Sequence, residues 1–306
     1  MNTNAATNAL TTETTLLEKI GEHMMNALYF DLSRYVIAAG VLTVLLFVFK
    51  RWADNRRIQP RHATRSDYIR EVLSSIRTVI IFGLTTISTL LLREYGIIEL
   101  KLEAAPLALV AFQFVVIVVA HDAYFYWMHR ALHHKRLFRA THLHHHKSRT
   151  PTPWTAYSFA WWEAFTEAAF MPLFLLATSM LGYAYAGFAV FLFLWHMIIR
   201  NVMAHAGVEL FPKGWVDTPW LDWISTTTHH DLHHTEGKYN YGFYFTFWDR
   251  WMGTEHPEYK ARFRAVAKPF RIKPKLAEKF AVFAMALFAA SVVLPGWIVA
   301  AESGLT

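Results

Sequence analysis

The sequence predicts an all-α membrane protein: a multi-pass bundle of about five to six transmembrane helices with a histidine-rich cap at its cytoplasmic end. Of the 306 residues, 54% are hydrophobic and 17% are charged, whereas a soluble domain carries roughly 25% charged residues. Several apolar runs approach the roughly 20 residues needed to cross a bilayer. The chain also contains 17 histidines, and most of them lie close to the ends of those runs.

Six apolar runs are candidate transmembrane helices. They occupy residues 35–49, 72–92, 104–128, 164–181, 183–203 and 280–300. The last run contains no charged residue between Phe280 and Ala300. A large soluble helical core is the alternative interpretation, but buried helices of soluble proteins are usually shorter and more interrupted.

Basic residues are concentrated in alternate connecting segments. Lysine and arginine are frequent in segments 50–71, 129–162 and 204–279 and are absent from the turn 182–186. By the positive-inside rule, the three basic segments lie in the cytoplasm. This topology accounts for the net charge of +7, so we expect no nucleic-acid partner. The absence of cysteine excludes disulfide scaffolds, Cys-ligated zinc and iron–sulfur clusters.

The histidines recur at ordered spacings in the predicted cytoplasmic segments. Residues three and four apart share one face of a helix, so each group can direct its imidazoles at one point. Imidazole suits iron, copper, zinc and nickel, and nine ligands are too many for one tetrahedral zinc. Two metals with five or six ligands each would leave room for an exogenous ligand. The predicted metal ligands are His129, His133, His142, His145, His146, His205, His230, His233 and His234.

A loose histidine-rich tract in a non-catalytic membrane protein that handles or transports metal is the alternative. Such tracts are of low complexity and have no fixed spacing, whereas here the groups are separate and repeated in form. Other catalytic motifs are absent: the sequence has no His-Glu-x-x-His, no Glu-x-x-His, and no nicotinamide or flavin fingerprint.

Three ordered histidine boxes resemble those of the fatty acid hydroxylase/sterol desaturase superfamily. The string Asp122-x-x-x-Tyr126-x-x-His129-Arg130-x-x-His133 resembles the first box, and His142-Leu-His-His145-His146 resembles the second. His230-Asp-Leu-His233-His234, followed by Asn-Tyr-Gly and by Trp-Asp249-Arg, resembles the third. The resemblance covers roughly residues 115–255 and is to a sterol desaturase-like member.

The resemblance implies a di-iron centre that uses dioxygen and external electrons to hydroxylate or desaturate a sterol-like or fatty acyl lipid. The electrons would come from a ferredoxin or a b-type cytochrome with its reductase, which the basic surface around residues 262–275 could dock. Three regions are expected: residues 1–103 with a tail and two transmembrane helices, the di-iron domain 104–260, and a basic segment with a C-terminal helix, 261–306.

Four further residues are candidates for catalysis or for positioning the metal ligands: Asp122, Tyr126, Glu163 and Asp249. Asp122 lies seven residues before His129, on the same helical face, with Tyr126 between them. We expect its carboxylate to accept a hydrogen bond from the outer nitrogen of a ligand such as His205. Glu163 begins the fourth run and could act similarly, and Asp249 could orient an imidazole of the third box.

An aromatic stretch precedes and begins the fourth apolar run. It contains Tyr157, Phe159, Trp161, Trp162 and Phe165. These side chains could form an apolar wall for a lipid beneath the metals, or an aromatic belt at the membrane interface. The sequence favours neither interpretation over the other.

Overall fold

The computed structural model describes residues 16–269, which form a mostly helical chain. Five long helices make up the bundle: α1 (Leu16–Val48), α3 (Arg65–Glu94), α4 (Leu107–Leu132), α6 (Trp161–Met180) and α7 (Gly187–Ala204). Shorter helices are α2 (Lys50–Asp54), α5 (Phe138–Thr141), α8 (Thr227–Glu236), α9 (Phe247–Trp251) and α10 (Tyr259–Val266). Two strands of two residues each, β1 (Leu100–Lys101) and β2 (Tyr185–Ala186), pair in parallel.

Helices α1, α3, α4 and α7 are each long and apolar enough to cross a membrane. They correspond to the predicted first, second, third and fifth runs. Large apolar side chains on their outer faces are exposed, among them Phe47, Leu107 and Phe112, as expected for helices whose outer surface meets lipid. Helix α6 covers the predicted fourth run. The predicted sixth run, 280–300, lies outside the described residues. The expected division of the chain into three regions, at residues 103 and 260, stays a prediction.

The polar cap assembles at one end of this bundle. The C-terminal ends of α4 and α7 carry His129 and His205 to that end, where the segment after α1 also packs. Arg56 in this segment is buried and donates hydrogen bonds to the carbonyl oxygens of Glu209 and Phe211, both at 3.0 Å. The Gln59 side-chain amide donates to Asp231 at 3.0 Å. The first and third predicted basic segments therefore lie on the same side of the bundle.

A buried carboxylate fastens the loop after the second histidine box to α3. Glu71 is fully buried and accepts hydrogen bonds from the hydroxyls of Ser148, at 2.7 Å, and Thr152, at 2.6 Å. The Thr152 backbone also begins a short 3-10 helix, Pro153–Tyr157, with a reciprocal cap from Thr155. Because buried hydroxyls and carboxylates need partners, this contact fixes the loop 148–157 against the membrane helices.

We predict that Glu71→Ala lowers the free energy of unfolding by about 1–3 kcal/mol, because it leaves two buried hydroxyls without an acceptor. Thermal unfolding in detergent would measure the loss. Glu103→Ala is the matched control, since Glu103 is exposed in the loop before α4. Equal melting temperatures for the two variants would contradict this role for Glu71.

Candidate metal centre

The three histidine boxes have different local structures. His129 lies in the last turn of α4, and His133 caps that helix. The third box lies on α8, which begins after Thr226 and ends at Gly237, whose φ of 64° favours glycine. The spacing had suggested that the second box lies on one regular helix, but it does not. His142 ends α5 with φ −138°, and His145 and His146 lie in a separate 3-10 turn, His145–Lys147.

All nine predicted ligands nevertheless converge. They form two groups, and the ring nitrogens within each group lie within 4.8 Å of one another. The first group consists of His129, His133, His142, His146 and His233, and the second of His145, His205, His230 and His234. His196 and His121 belong to neither group and pack among aromatic rings of the bundle.

The inner Nε2 atoms are separated by the distances that a shared metal would impose. In the first group, Nε2 of His129 is 2.9 Å from that of His142, and Nε2 of His146 is 3.1 and 3.0 Å from those of His133 and His233. Neighbouring corners of an octahedron with bonds of about 2.1 Å lie about 3.0 Å apart. In the second group, Nε2 of His205 lies 2.9–3.3 Å from those of His230, His234 and His145.

The charge state of these rings also fits a metal. Burial, together with the neighbouring imidazoles, lowers the pKa of His146 to about 3, and burial lowers that of His205 to about 4. The pKa values of His142, His145, His230, His233 and His234 are lowered in the same way. The rings are therefore neutral, and each can present a lone pair. Converging lone pairs repel one another unless a cation lies between them, so the residues fit two metal ions.

Backbone carbonyls hold the outer nitrogens of four ligands. Nδ1 of His129 donates to the carbonyl of Tyr241 at 3.0 Å, and Nδ1 of His233 donates to that of Tyr239 at 2.7 Å. Nδ1 of His205 donates to Asn201 at 2.8 Å, and Nδ1 of His145 to Ser158 at 3.4 Å. These contacts select the tautomer that turns Nε2 inward. The sequence does not predict these four contacts, because every residue has a backbone carbonyl and the residue type does not indicate which one accepts.

Glu163 occupies the position expected of an acidic partner. Its Oε1 lies 2.9 Å from Nδ1 of His142, and both side chains are buried. Its Oε2 accepts the backbone N–H of Ala160 at 3.2 Å, at the start of α6. The first turn of α6 therefore fixes this carboxylate within ion-pair distance of His142.

The hydrogen-bond donor that we expected for the Asp122 carboxylate, His205, is wrong. Oδ1 of Asp122 accepts the backbone N–H groups of Tyr244, at 2.7 Å, and Phe245, at 3.2 Å, while His205 uses the carbonyl of Asn201. The reason is distance along the helix: Asp122 lies two turns, roughly 10 Å, deeper than His129. There it meets the loop 243–245 rather than a ligand.

Asp249 and Tyr126 also hold the segment after the third box. Asp249 accepts the backbone N–H groups of Tyr241 and Gly242, both at 2.8 Å, and lies 3.4 Å from Nε2 of His229, which is not a ligand. Gly242 is required here, because a Cβ would strike the Phe245 carbonyl and approach Asp249 Oδ2 to 2.8 Å. Asp249 thus fixes the Tyr241 carbonyl that orients His129. The Tyr126 hydroxyl lies 2.9 Å from that of Thr254.

An apolar cavity of about 220 Å³ lies in the bundle beside the histidine groups. Helices α1, α3, α4, α6 and α7 all contribute to its walls. It shares part of its lining with a narrow space enclosed by five of the histidines. The shared residues are Phe125, Phe159, Glu167, Asn201 and Phe243. The cavity therefore adjoins the candidate metal centre on the side of the membrane helices.

The aromatic stretch before and within α6 divides between the two expected roles. Tyr157 and Phe159 are buried and line the cavity. Trp161, Trp162 and Phe165 are exposed on the outer surface. The two buried side chains form an apolar wall. The three exposed side chains are placed as in an interfacial aromatic belt.

Comparisons with known proteins agree with this geometry. The family model for fatty acid hydroxylase matches residues 114–254. Similar curated proteins include Delta(7)-sterol 5(6)-desaturase ERG3B of Gibberella zeae, 27% identical over 72% of this chain and 64% of the relative. Lathosterol oxidase of Rattus norvegicus is 28% identical over 61% of each chain. Very-long-chain aldehyde decarbonylase GL1-7 of Oryza sativa is 34% identical over 41% of this chain and 20% of the relative.

No solved structure matches the chain. The matches cover less than two thirds of each of these curated relatives. The matched segment 114–254 begins within α4 and ends just after α9, so it contains all nine converging histidines together with Glu163 and Asp249. Through this segment, the chain matches the fatty acid hydroxylase family model and is similar to sterol desaturases.

Proposed function

We propose that this protein is a membrane-bound di-iron oxygenase that hydroxylates or desaturates a lipid, with dioxygen as cosubstrate and electrons supplied by another protein. The observation that carries the proposal is the convergence of nine Nε2 atoms, all from buried side chains except that of the half-buried His133, in two groups beside an apolar cavity. The names of the relatives, which include sterol desaturases and an aldehyde decarbonylase, support an oxidoreductase acting on lipids.

The two histidine groups would each hold one iron. When bound, the iron pair supplies the dioxygen chemistry needed to oxidise an unactivated C–H bond. The protein's own residues have three tasks. Glu163 and the carbonyls of Tyr239, Tyr241, Asn201 and Ser158 keep the imidazoles in one tautomer, and Asp249 keeps the loop with Tyr241 in place. The buried site and its apolar walls exclude water, which protects a reactive centre from side reactions.

The lipid would enter the cavity between the membrane helices and reach the narrow space beside His129 and His205. Phe125 and Phe243 line both spaces, so they would direct an apolar chain or ring towards the centre. We place the histidine cap on the cytoplasmic side, because the segments that build it carry most of the lysine and arginine.

The metal assignment predicts the effect of removing one ligand from each group. His145→Ala and His233→Ala should lose most of the bound iron and abolish lipid oxidation, because each deletion opens a coordination position and leaves a buried gap. Both proteins should still insert into the membrane, since the bundle does not depend on the metals. Iron per purified chain and lipid turnover are the two measurements.

His62→Ala is the matched control, since His62 is exposed and belongs to neither group; it should keep full iron and activity. Undiminished oxidation by His145→Ala would contradict the di-iron proposal. Wild-type protein with variable, loosely held zinc and no turnover would instead support the non-catalytic metal-handling alternative.

The contact between Glu163 and His142 predicts a graded effect. Glu163→Gln keeps a hydrogen-bond acceptor near Nδ1 but removes the charge, so it should lower iron affinity or turnover by about 10–100-fold. Glu163→Leu removes the acceptor as well and should be more severe. Metal retention during dialysis against a chelator, and turnover at saturating iron, would separate the two effects. A Leu variant equal to wild type in both would refute this role.

The electron donor would approach from the cytoplasmic side. A groove of about 760 Å³ there is lined by one ligand from each group, His146 and His234, and by Arg61, Arg149 and Arg262. Arg61 and Arg149 are exposed and form no ion pair with the described residues. We propose this groove, rather than only the basic surface expected at residues 262–275, as the docking site for an acidic ferredoxin or b-type cytochrome. Residues 270–275 lie outside the described part of the chain.

Charge reversal tests the groove. Arg61→Glu combined with Arg149→Glu should raise the Kd for an acidic ferredoxin by about tenfold or more at low ionic strength, and the difference should shrink as salt is added. Lys101→Glu, an exposed charge on β1 at the other end of the bundle, should leave the Kd unchanged. The measurement is titration calorimetry with iron-loaded protein. An unaltered Kd in the double variant would rule out this groove.

A further inference from the structure

The polar groups in the wall of the apolar cavity fall into two classes. Most of them already have protein partners: Asn201 donates to the carbonyl of Ala156 at 2.7 Å, and Arg34 pairs with Asp31 and donates to the carbonyl of Leu194 at 2.6 Å. His121, Tyr157 and Glu167 differ from these: they line the cavity and form no hydrogen bond of normal geometry with the described residues. The His121 ring packs against Phe170 and Phe193, so Tyr157 and Glu167 remain the candidates for binding a ligand.

Tyr157 is held between aromatic rings, and its hydroxyl oxygen lies near the Arg34 guanidinium, which can only donate to it. Its side chain is 1% exposed, and its ring stacks on Tyr35 and meets Phe82 edge-on. Buried hydroxyls almost always have a partner. The structure therefore fixes a phenol at the cavity wall and leaves its O–H group available to a molecule inside the cavity.

Glu167 lies beside this phenol and nearer to the metal centre. The two side chains are close enough to interact electrostatically. Glu167 also lines the narrow space among the histidines, which Tyr157 does not. It follows Glu163 by one turn of α6, so it lies about 6 Å deeper in the membrane than the Glu163–His142 contact. An unpaired carboxyl at this depth is costly unless a ligand pairs with it.

We propose, building on the lipid oxygenase function above, that Tyr157 and Glu167 bind a hydroxyl group of the substrate and so select lipid alcohols. A hydroxyl is both a donor and an acceptor: it can accept from the Tyr157 O–H and donate to the Glu167 carboxyl at the same time. An ether oxygen or an ester can satisfy only the phenol, and a hydrocarbon satisfies neither. A free fatty acid would bring a second carboxyl against Glu167.

The position of the pair also restricts where oxidation takes place. With the hydroxyl held about one helical turn from the level of His142, the carbon presented to the centre lies only a few bonds from the carbon that carries the hydroxyl. A rigid ring alcohol fits this requirement better than a chain alcohol oxidised at a remote carbon. Tyr157 and Glu167 are thus specificity-determining residues for a ring-bearing lipid alcohol.

The test compares two probes in detergent-purified, iron-loaded protein: a Δ7-sterol with a free 3-hydroxyl and the 3-O-methyl ether of the same sterol. Displacement of a bound fluorescent sterol measures the affinity of each. Wild type should prefer the alcohol by about tenfold or more, the effect of one well-formed hydrogen bond to a buried partner. Glu167→Leu should reduce the preference to within about twofold, because only the alcohol can donate to Glu167, whereas Tyr157→Phe should weaken the binding of both sterols and leave the preference in place.

Two variants control for packing. Glu167→Gln keeps a side chain that accepts a hydrogen bond and should retain most of the preference. Met171→Leu changes an apolar residue of the same cavity and should leave the preference intact. Unchanged iron content and melting temperature would show that each variant is folded; Glu167→Leu should meet this condition, because it removes no hydrogen bond among the described residues.

Equal wild-type affinity for the two sterols, or no binding of either, would overturn the inference. So would a Glu167→Leu protein that keeps the full preference for the alcohol. Selective binding without any lipid oxidation would leave this inference intact and refute the oxygenase proposal. If the wild type oxidises lipid but no variant alters its preference for the alcohol over the ether, this inference is refuted and the oxygenase proposal is not.

Discussion

The structure depends on one electrostatic constraint: nine neutral imidazole lone pairs point towards two small regions inside a buried, poorly hydrated site. Without cations, each pair of facing nitrogens repels and each buried acceptor lacks a partner. With cations, the same arrangement is strongly favourable, because the ligands are already neutral and the outer nitrogens of four of them already donate to backbone carbonyls. The folded chain carries this unfavourable arrangement because other interactions fix the segments that bear the histidines.

Those interactions come from distant parts of the sequence. Helices α4 and α7 deliver His129 and His205 by length and direction alone. The second box has little helix of its own and is held by its neighbours: Glu71 on α3 anchors the loop behind it, and Glu163 on α6 holds His142. The third box is held by the segment after it, where Asp249 and Gly242 shape the turn that carries Tyr241. Membrane helices and cap are therefore one structure.

Much of this organisation is readable in the sequence. Four of the six predicted apolar runs correspond to helices long and apolar enough to span a membrane, because burial in lipid imposes length and composition together. The nine ligands are identifiable because metal binding fixes both residue type and spacing. Contacts made by the backbone cannot be predicted from the sequence in this way. The carbonyls of Tyr239, Tyr241, Ser158 and Asn201 orient four ligands, and their identity depends on where loops close in space. The same limit explains Asp122, whose carboxylate binds backbone N–H groups of residues 244 and 245 instead of His205.

The cavity likewise has features that the sequence predicts and features that it does not. Its apolar walls follow from the composition of the helices, but the unpaired groups of Tyr157 and Glu167 are recognisable only when every neighbouring partner has been accounted for. Tyr157 precedes α6, and Glu167 lies on it, one turn beyond Glu163. A single helix and its N-terminal approach therefore supply a carboxylate for a metal ligand, a carboxyl for the cavity, and part of the cavity wall.

The most direct test of the metal centre is X-ray absorption at the iron edge of the purified protein, combined with its iron stoichiometry. Two irons per chain, each with nitrogen neighbours at about 2.1 Å and the multiple-scattering pattern of several imidazoles, is the predicted result. One iron or none, or a first coordination sphere made mainly of carboxylate oxygens, would contradict the account in which these nine histidines hold two metals.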